Sequence, residues 1–214
     1  MTGNDGRCIV TVAATSLRSD SRTLKQAYSM HRLGYRSAVA CFGGGTEAPD
    51  LKLIPLGAPE PPRIDAGPTS GTAAPPRRSF TGVLRERWRR LYANQQPLPL
   101  ELFAFLAWSV KLFAVSLARV APRLPRADLY YLHSYSLFPA VWLRARMCGA
   151  AIVYDAHDFY SYMTVAGEQS RLTRRWVAPF QRAMERWCVR RADAVVTVCN
   201  GLAELFEARF GKRA

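Results

Sequence analysis

The chain has 214 residues, of which 49% are hydrophobic and 11% aromatic, so it can bury a core and does not belong to the disordered class. Its five cysteines form no Cys-x-x-Cys pair, which argues against a disulfide or zinc framework. The net charge of +14 predicts an anionic partner, namely a phospholipid surface, nucleic acid or a phosphate-bearing substrate.

The N-terminus lacks a basic segment, and the first apolar run ends at Ala14, too early for a signal peptide. We therefore expect a cytoplasmic protein. Residues 8–13 predict a first strand, and a polar loop leads into a helix that the capping pattern Thr23-x-x-Gln26 would open. Arg18 and Arg22 flank this helix start, where backbone N–H groups favour an anion; an ordinary capped loop is the alternative.

Residues 37–42 and 51–56 predict two further strands, followed by a flexible Pro/Gly-rich insertion at 57–76. A basic helical segment is predicted at 77–122, beginning with apolar residues at helical spacing beneath six arginines. This amphipathic pattern is typical of helices that lie on anionic membranes; a solvated helix docked on the core is the alternative. The predicted membrane contacts are Arg77, Arg78, Phe80, Leu84, Arg85, Trp88 and Arg89.

Residues 97–121 are strongly apolar and predict a long helix. Their longest uncharged run, 102–110, is well below the roughly 18 residues of a membrane-spanning segment. We therefore expect a core helix, or a partner of the basic helix before it, and no transmembrane helix.

Two apolar strands separated by one helix end in polar residues. Residues 128–132 are followed by His133, and the strand beginning at residue 150 ends in Asp155, His157 and Asp158. A strand, a helix and a strand within about 30 residues form a βαβ unit, so these strands should be parallel neighbours that end at Leu132 and Tyr154. Ligands of open α/β sheets bind beyond the carboxyl ends of the strands, so the two histidines should face one groove.

The remaining chain predicts a helix over 168–192, kinked or restarted at Pro179, then a strand at 193–198 and a last helix that Asn200 would cap. The seven arginines in 171–191 predict a solvated or lipid-contacting surface. The alternation of strands and helices predicts the α/β class, a Rossmann-like open parallel sheet with helices on both faces.

Several short motifs occur together in order: Arg18-x-Asp20-Ser21-Arg22, Gly34-Tyr35, the segments 128–139 and 153–158, and finally 191–198. In this order and spacing the chain resembles the N-terminal, acceptor-side domain of family-4 glycosyltransferases with the GT-B fold. The resemblance implies one domain over residues 1–214.

The resemblance also implies functional roles. His157 would lie beside the transferred sugar as the catalytic residue, and the reaction would be a retaining sugar transfer with no protein-bound metal. The acceptor side would be formed by Arg18, Asp20, Arg22, His133, Asp155 and Asp158. This half would bind no cofactor itself, because a nucleotide-sugar is the donor substrate of the complete enzyme, held by a second domain.

We expect that C-terminal donor domain to be absent from this chain and the chain alone to have negligible transferase activity, since both halves must close around the substrates. The expected partners are a donor-binding domain or separate chain, a sugar or lipid-linked acceptor, and a peripheral anionic membrane at the inner face. No nucleic acid is expected, because the arginines lie in amphipathic helices without a reader motif.

Other classes of function stay open. The basic helices would also serve a non-catalytic, membrane-associated or regulatory module. A nucleic-acid binder would use the same charge. A metal hydrolase would use His133, Asp155, His157 and Asp158, although Asp-x-His-Asp lacks the usual ligand spacing.

Overall fold

A computed structural model describes residues 6–17, 20–42, 48–57, 98–157 and 173–214. Within them, six parallel strands form one sheet in the order β3-β2-β1-β4-β5-β6. This order reverses between β1 and β4, as in doubly wound nucleotide-binding folds. The strands are β1 Cys8–Val12, β2 Arg36–Cys41, β3 Lys52–Pro55, β4 Leu129–Leu132, β5 Ala151–Ala156 and β6 Ala194–Thr197.

In the described residues, helices lie between all successive strands except β2 and β3, and such crossovers are usual in parallel sheets. The α-helices are α1 Ser21–Arg32, α2 Leu98–Val115, α3 Phe138–Cys148, α4 Ala178–Arg191 and α5 Asn200–Phe210. Short π-helical segments occupy Ser116–Val120 and Thr173–Val177, and 3-10 turns occupy Ala121–Arg123 and Tyr135–Leu137. The predicted α/β Rossmann-like sheet is therefore confirmed.

The two faces of the sheet have separate cores because successive strand residues point to opposite sides. On one face, Val39 and Cys41 of β2 pack against α1 through Ala27. On the other, Tyr130 and Tyr154 belong to the larger core, to which α3, α4 and α5 contribute. Helices thus cover both faces, as predicted.

Two helix caps differ from the sequence prediction. The N-cap of α1 is Asp20, whose side chain accepts a hydrogen bond from the Thr23 backbone N–H, so Thr23 is not the capping residue. The N-cap of α5 is Cys199, which makes Asn200 the first helical residue. In both cases the helix begins before the predicted position, because a sequence pattern offers several polar residues and backbone geometry selects one.

The helix α2 departs further from the sequence prediction than the two helix caps do. It continues through the π-helical and 3-10 turns to Arg123, and half of the large apolar residues along this stretch are exposed. Of the described residues, Pro99–Arg123 forms the one helical stretch long and apolar enough to cross a membrane, and only 17% of its most apolar window is buried. This exposure argues against the predicted core helix, because apolar content alone does not determine which face of a helix is buried. The alternative, a partner of the basic helix, involves residues 77–97, which lie outside the described residues, and stays a prediction.

The predicted insertion at 57–76 lies outside the described residues except for Gly57, and so do residues 77–97 of the predicted basic segment. All seven predicted membrane contacts, from Arg77 to Arg89, fall in that part of the chain and stay a prediction.

Candidate functional site

Two predicted site residues meet at the carboxyl edge of the sheet through strand register. Leu132 of β4 pairs with Tyr154 of β5, so the residues that follow, His133 and Asp155, are neighbours on the same face. The backbone N–H of His133 donates to the carbonyl of Val12 at 3.0 Å, which continues the pairing with β1 past the end of β4. The predicted juxtaposition of the strand ends is confirmed.

The N-terminus of α1 brings Arg22 to this edge. Asp20 fixes the first turn: its carboxylate accepts from the Thr23 backbone N–H at 3.1 Å, from the Thr23 hydroxyl at 2.7 Å and from the Thr15 hydroxyl at 3.0 Å. Burial raises the pKa of Asp20, but these hydrogen bonds outweigh it, and the pKa lies below its usual value. The charged carboxylate therefore holds the turn from which Arg22 extends.

Asp155 is the centre of the cluster. Its carboxyl Oδ1 accepts a hydrogen bond from Arg22 Nη2 at 3.0 Å, and its Oδ2 lies 3.4 Å from His133 Nδ1. The Asp155 side chain is 2% exposed, whereas that of Arg22 is 43% exposed. A buried carboxylate requires such partners, because an unpaired charge in the interior is costly.

His133 is buried, and its pKa lies below the usual value. Burial lowers its pKa; Asp155 and Asp20 oppose that shift, while the nearby His157 and Arg22 add to it. A neutral imidazole with its proton on Nδ1 would donate to Asp155 and leave Nε2 as an acceptor. Nε2 is buried and has no hydrogen-bond partner among the described residues.

His157 lies two residues after Asp155, just beyond the end of β5, and is half-buried. Its ring centroid is 6.1 Å from that of His133. It is therefore the more accessible of the two imidazoles at this edge, and its catalytic role stays a prediction.

Tyr131 is a neighbour of the site that sequence reasoning missed. It lies two residues before His133 on the same face of β4, and the two ring centroids are 5.5 Å apart. Burial raises the pKa of Tyr131, and the negative charge of Asp155 raises it further. Period-two alternation counted back from His133 could have identified it.

The structure brings together Arg22, His133, Asp155 and His157, with Asp20 close enough to influence His133. Arg18 and Asp158 lie outside the described residues, so their predicted roles stay predictions.

The cluster also has the donor atoms of a metal site. Ligand atoms of His133, Asp155 and His157 all lie within 4.8 Å of one another. Two imidazoles and a carboxylate suit zinc and similar ions. Against this, the Arg22 guanidinium already pairs with the only carboxylate of that group, and its fixed positive charge opposes a second cation.

Most of the chain matches a known sequence family. Residues 19–214 match the sequence profile described as the glycosyl transferase 4-like domain. The chain belongs to this family. The glycosyl transferase 4-like domain here includes every described residue of the site, since all of them fall within the matched region.

No curated protein sequence matches this glycosyl transferase 4-like domain. Among solved structures, it is similar to sucrose-phosphate synthase from Thermosynechococcus elongatus, with 15% sequence identity and a TM-score of 0.48. The match covers 95% of this chain and 45% of the other, so the chain spans less than half of that enzyme.

Proposed function

We propose that the chain is the acceptor-binding half of a retaining glycosyltransferase, which moves a sugar from a nucleotide-sugar to an acceptor. Membership of the glycosyl transferase 4-like family supports sugar transfer. The observation that carries the acceptor role is the cluster of Arg22, His133, Asp155 and His157 at the carboxyl edge, where ligands of open parallel sheets bind.

The four side chains would have different roles according to whether they are exposed or buried. Arg22 and His157 have accessible surface, so they would contact the acceptor and the transferred sugar by hydrogen bonds to hydroxyl or phosphate oxygens. Buried Asp155 and His133 would orient them from behind. The lowered pKa of His133 disfavours a buried positive charge beside Arg22.

Transfer would require a donor-binding domain or separate chain, which would close over this edge and supply charge to offset the departing diphosphate. The acceptor would be a sugar or a lipid-linked sugar at the cytoplasmic face of the membrane. No cofactor or metal has a part in this reaction on the side of this chain.

Saturation-transfer NMR of the chain with a panel of oligosaccharides and short-chain lipid-linked sugars tests acceptor binding. At least one acceptor should bind, and Arg22→Ala and His157→Ala should each weaken it about tenfold, the value of one charge-assisted hydrogen bond. His31→Ala is the matched control, because His31 is exposed on α1, outside the cluster. Equal loss in the control, or no binding by any of the panel, would count against the proposal.

The transfer step has its own test. Incubation with UDP-, GDP- and ADP-sugars should give no turnover by this polypeptide alone and turnover once a donor-binding domain is supplied. His157→Ala should then lower kcat, with His31→Ala unchanged. Acceptor binding without turnover in any combination would favour the alternative, a non-catalytic or regulatory module.

A further inference from the structure

The helix α2 has the reverse of the residue distribution expected for a helix on a water-soluble domain. Its exposed side carries Phe103, 68% exposed, Leu106, 50%, and Val110, 66%. These residues recur at spacings of three and four, so they form one continuous apolar face, which Leu102 and Leu117 extend. A helix in contact with water normally buries such a stripe.

Apart from its packed aromatic residues, the inner side of α2 and its π-helical continuation is mostly small or polar. Glu101, Ala104, Ser109 and Ser116 are buried. The side-chain oxygens Oε2 of Glu101 and Oγ of Ser109 and Ser116 have no hydrogen-bond partner among the described residues. Polar groups inside and large apolar groups outside are the arrangement of helices whose outer face contacts lipid.

The aromatic residues of α2 fix its position. Phe105, Trp108 and Phe113 pack on Phe180, with ring centroids 5.6 to 6.2 Å apart. Phe180 lies in the first turn of α4, which runs back from the carboxyl edge of the sheet before β6 begins. One side of α2 is thus held on the domain by these contacts, and only the opposite side is available to a partner.

The exposed charges along this helical stretch and just after it are positive. Between residues 98 and 126 the cations Lys111, Arg119, Arg123 and Arg126 are all exposed, and the one acidic residue, Glu101, is buried. Arg174 and Arg175 add exposed charge beside Trp176, whose ring stacks on Phe105 at 5.9 Å. A second copy of this face would bring like charges together, whereas anionic headgroups would neutralise them.

We propose that the exposed face of α2 and its π-helical continuation, formed by Leu102, Phe103, Leu106, Val110 and Leu117, inserts into one leaflet of an anionic membrane. Because α2 is attached along its other side, it lies in the interface and does not span the bilayer. The surrounding cations bind lipid phosphates. This surface is distinct from the sequence-predicted membrane contacts at 77–89 and does not depend on the transfer reaction.

Vesicle flotation tests the surface. The wild-type chain should float with vesicles of phosphatidylglycerol and phosphatidylcholine and much less with phosphatidylcholine alone. Replacing Phe103, Leu106 and Val110 together by Ser should lower the partition coefficient at least about 100-fold, from the apolar burial of three side chains. The control variant replaces Leu33, just after α1, and Met147 of α3 by Ser; both have similar exposure and should leave binding unchanged.

Circular dichroism and thermal melting of both variants verify that they fold, since every substituted side chain is exposed. Unchanged flotation of the Phe103, Leu106 and Val110 variant would overturn the proposal. So would equal binding to neutral vesicles, because the charge argument would then fail.

A fluorophore on the apolar face distinguishes a membrane from a second copy or another part of the chain as the group that covers this face. The environment-sensitive fluorophore is attached to Leu106→Cys, and Cys199→Ser removes the exposed native thiol. Its emission should shift to the blue only when anionic vesicles are added. A blue-shifted spectrum without vesicles would overturn the proposal. If that shift grew with protein concentration, a second copy would cover the face. If it did not change with concentration, another part of the chain, such as residues 77–92, would cover it.

Discussion

The guanidinium of Arg22 lies 3.0 Å from the carboxylate of Asp155, although the two residues are 133 positions apart in the chain. The contact joins the first turn of α1 to the carboxyl end of β5. It ties together the two halves of the doubly wound sheet at the edge where the candidate site lies.

The Arg22–Asp155 contact should contribute to stability. Asp155→Asn removes the charge that Arg22 and His133 share and should lower the free energy of unfolding by about 1–3 kcal/mol, the cost of a disrupted buried hydrogen-bond network. Urea unfolding of the variant and the wild type measures this difference. Glu204→Gln, the same change of acid to amide at an exposed position, should have almost no effect. A variant as stable as the wild type would show that the pair is energetically neutral.

His133 should make stability depend on pH. Because burial lowers its pKa in the folded state, the unfolded chain binds a proton more readily, and folding is favoured by deprotonation. This contribution is complete above the unfolded pKa, about 6.5, and is lost as the pH falls through the folded pKa. The groups that face His133 are Asp155, Asp20, His157, Arg22 and Tyr131.

The measurement is the free energy of unfolding between pH 8 and pH 5. The wild-type slope below pH 6.5 should approach at most about 1.4 kcal/mol per pH unit for one proton, and His133→Gln should reduce it. His31→Gln should leave it unchanged, since that histidine lies outside the cluster. Identical slopes for the wild type and His133→Gln would contradict the assignment.

Asp20 should stabilise the start of α1. Asp20→Ala removes its hydrogen bonds to the Thr23 backbone and hydroxyl and should cost about 1 kcal/mol, as other N-caps do. Asp20→Asn keeps an acceptor oxygen and should cost less. Because the folded pKa of Asp20 lies below its usual value, the wild type should be more stable than Asp20→Asn above about pH 4, and this extra stability should be lost at lower pH. Equal stability of the Ala and Asn variants at pH 7 would argue against the cap.

The site should function without a metal ion. The Arg22 charge beside Asp155 opposes a cation among His133, Asp155 and His157. Dialysis against EDTA should therefore leave acceptor binding unchanged, and elemental analysis should find no transition metal in stoichiometric amount. One zinc ion per chain that is lost in His133→Ala would instead support a metal hydrolase.

The sequence alone determined the sheet and the edge at which the site lies. Two apolar runs end in His133 and Asp155, and the helix between them stops at Gly149. This pattern defines a βαβ unit, because a short connection through one helix makes the two strands parallel. Gly149 indeed adopts the left-handed conformation, φ 71°, expected after a helix end. Period-two alternation then places the strand-end side chains on known faces.

Tertiary structure alone decided three further features. The pairing of Arg22 with Asp155 depends on how α1 docks, and no local pattern encodes a contact over that distance in sequence. The lowered pKa of His133 depends on burial, which many elements create together. The exposed apolar face of α2 depends on which side meets Phe180, because a helix apolar on most sides carries no periodic signal to select its buried face.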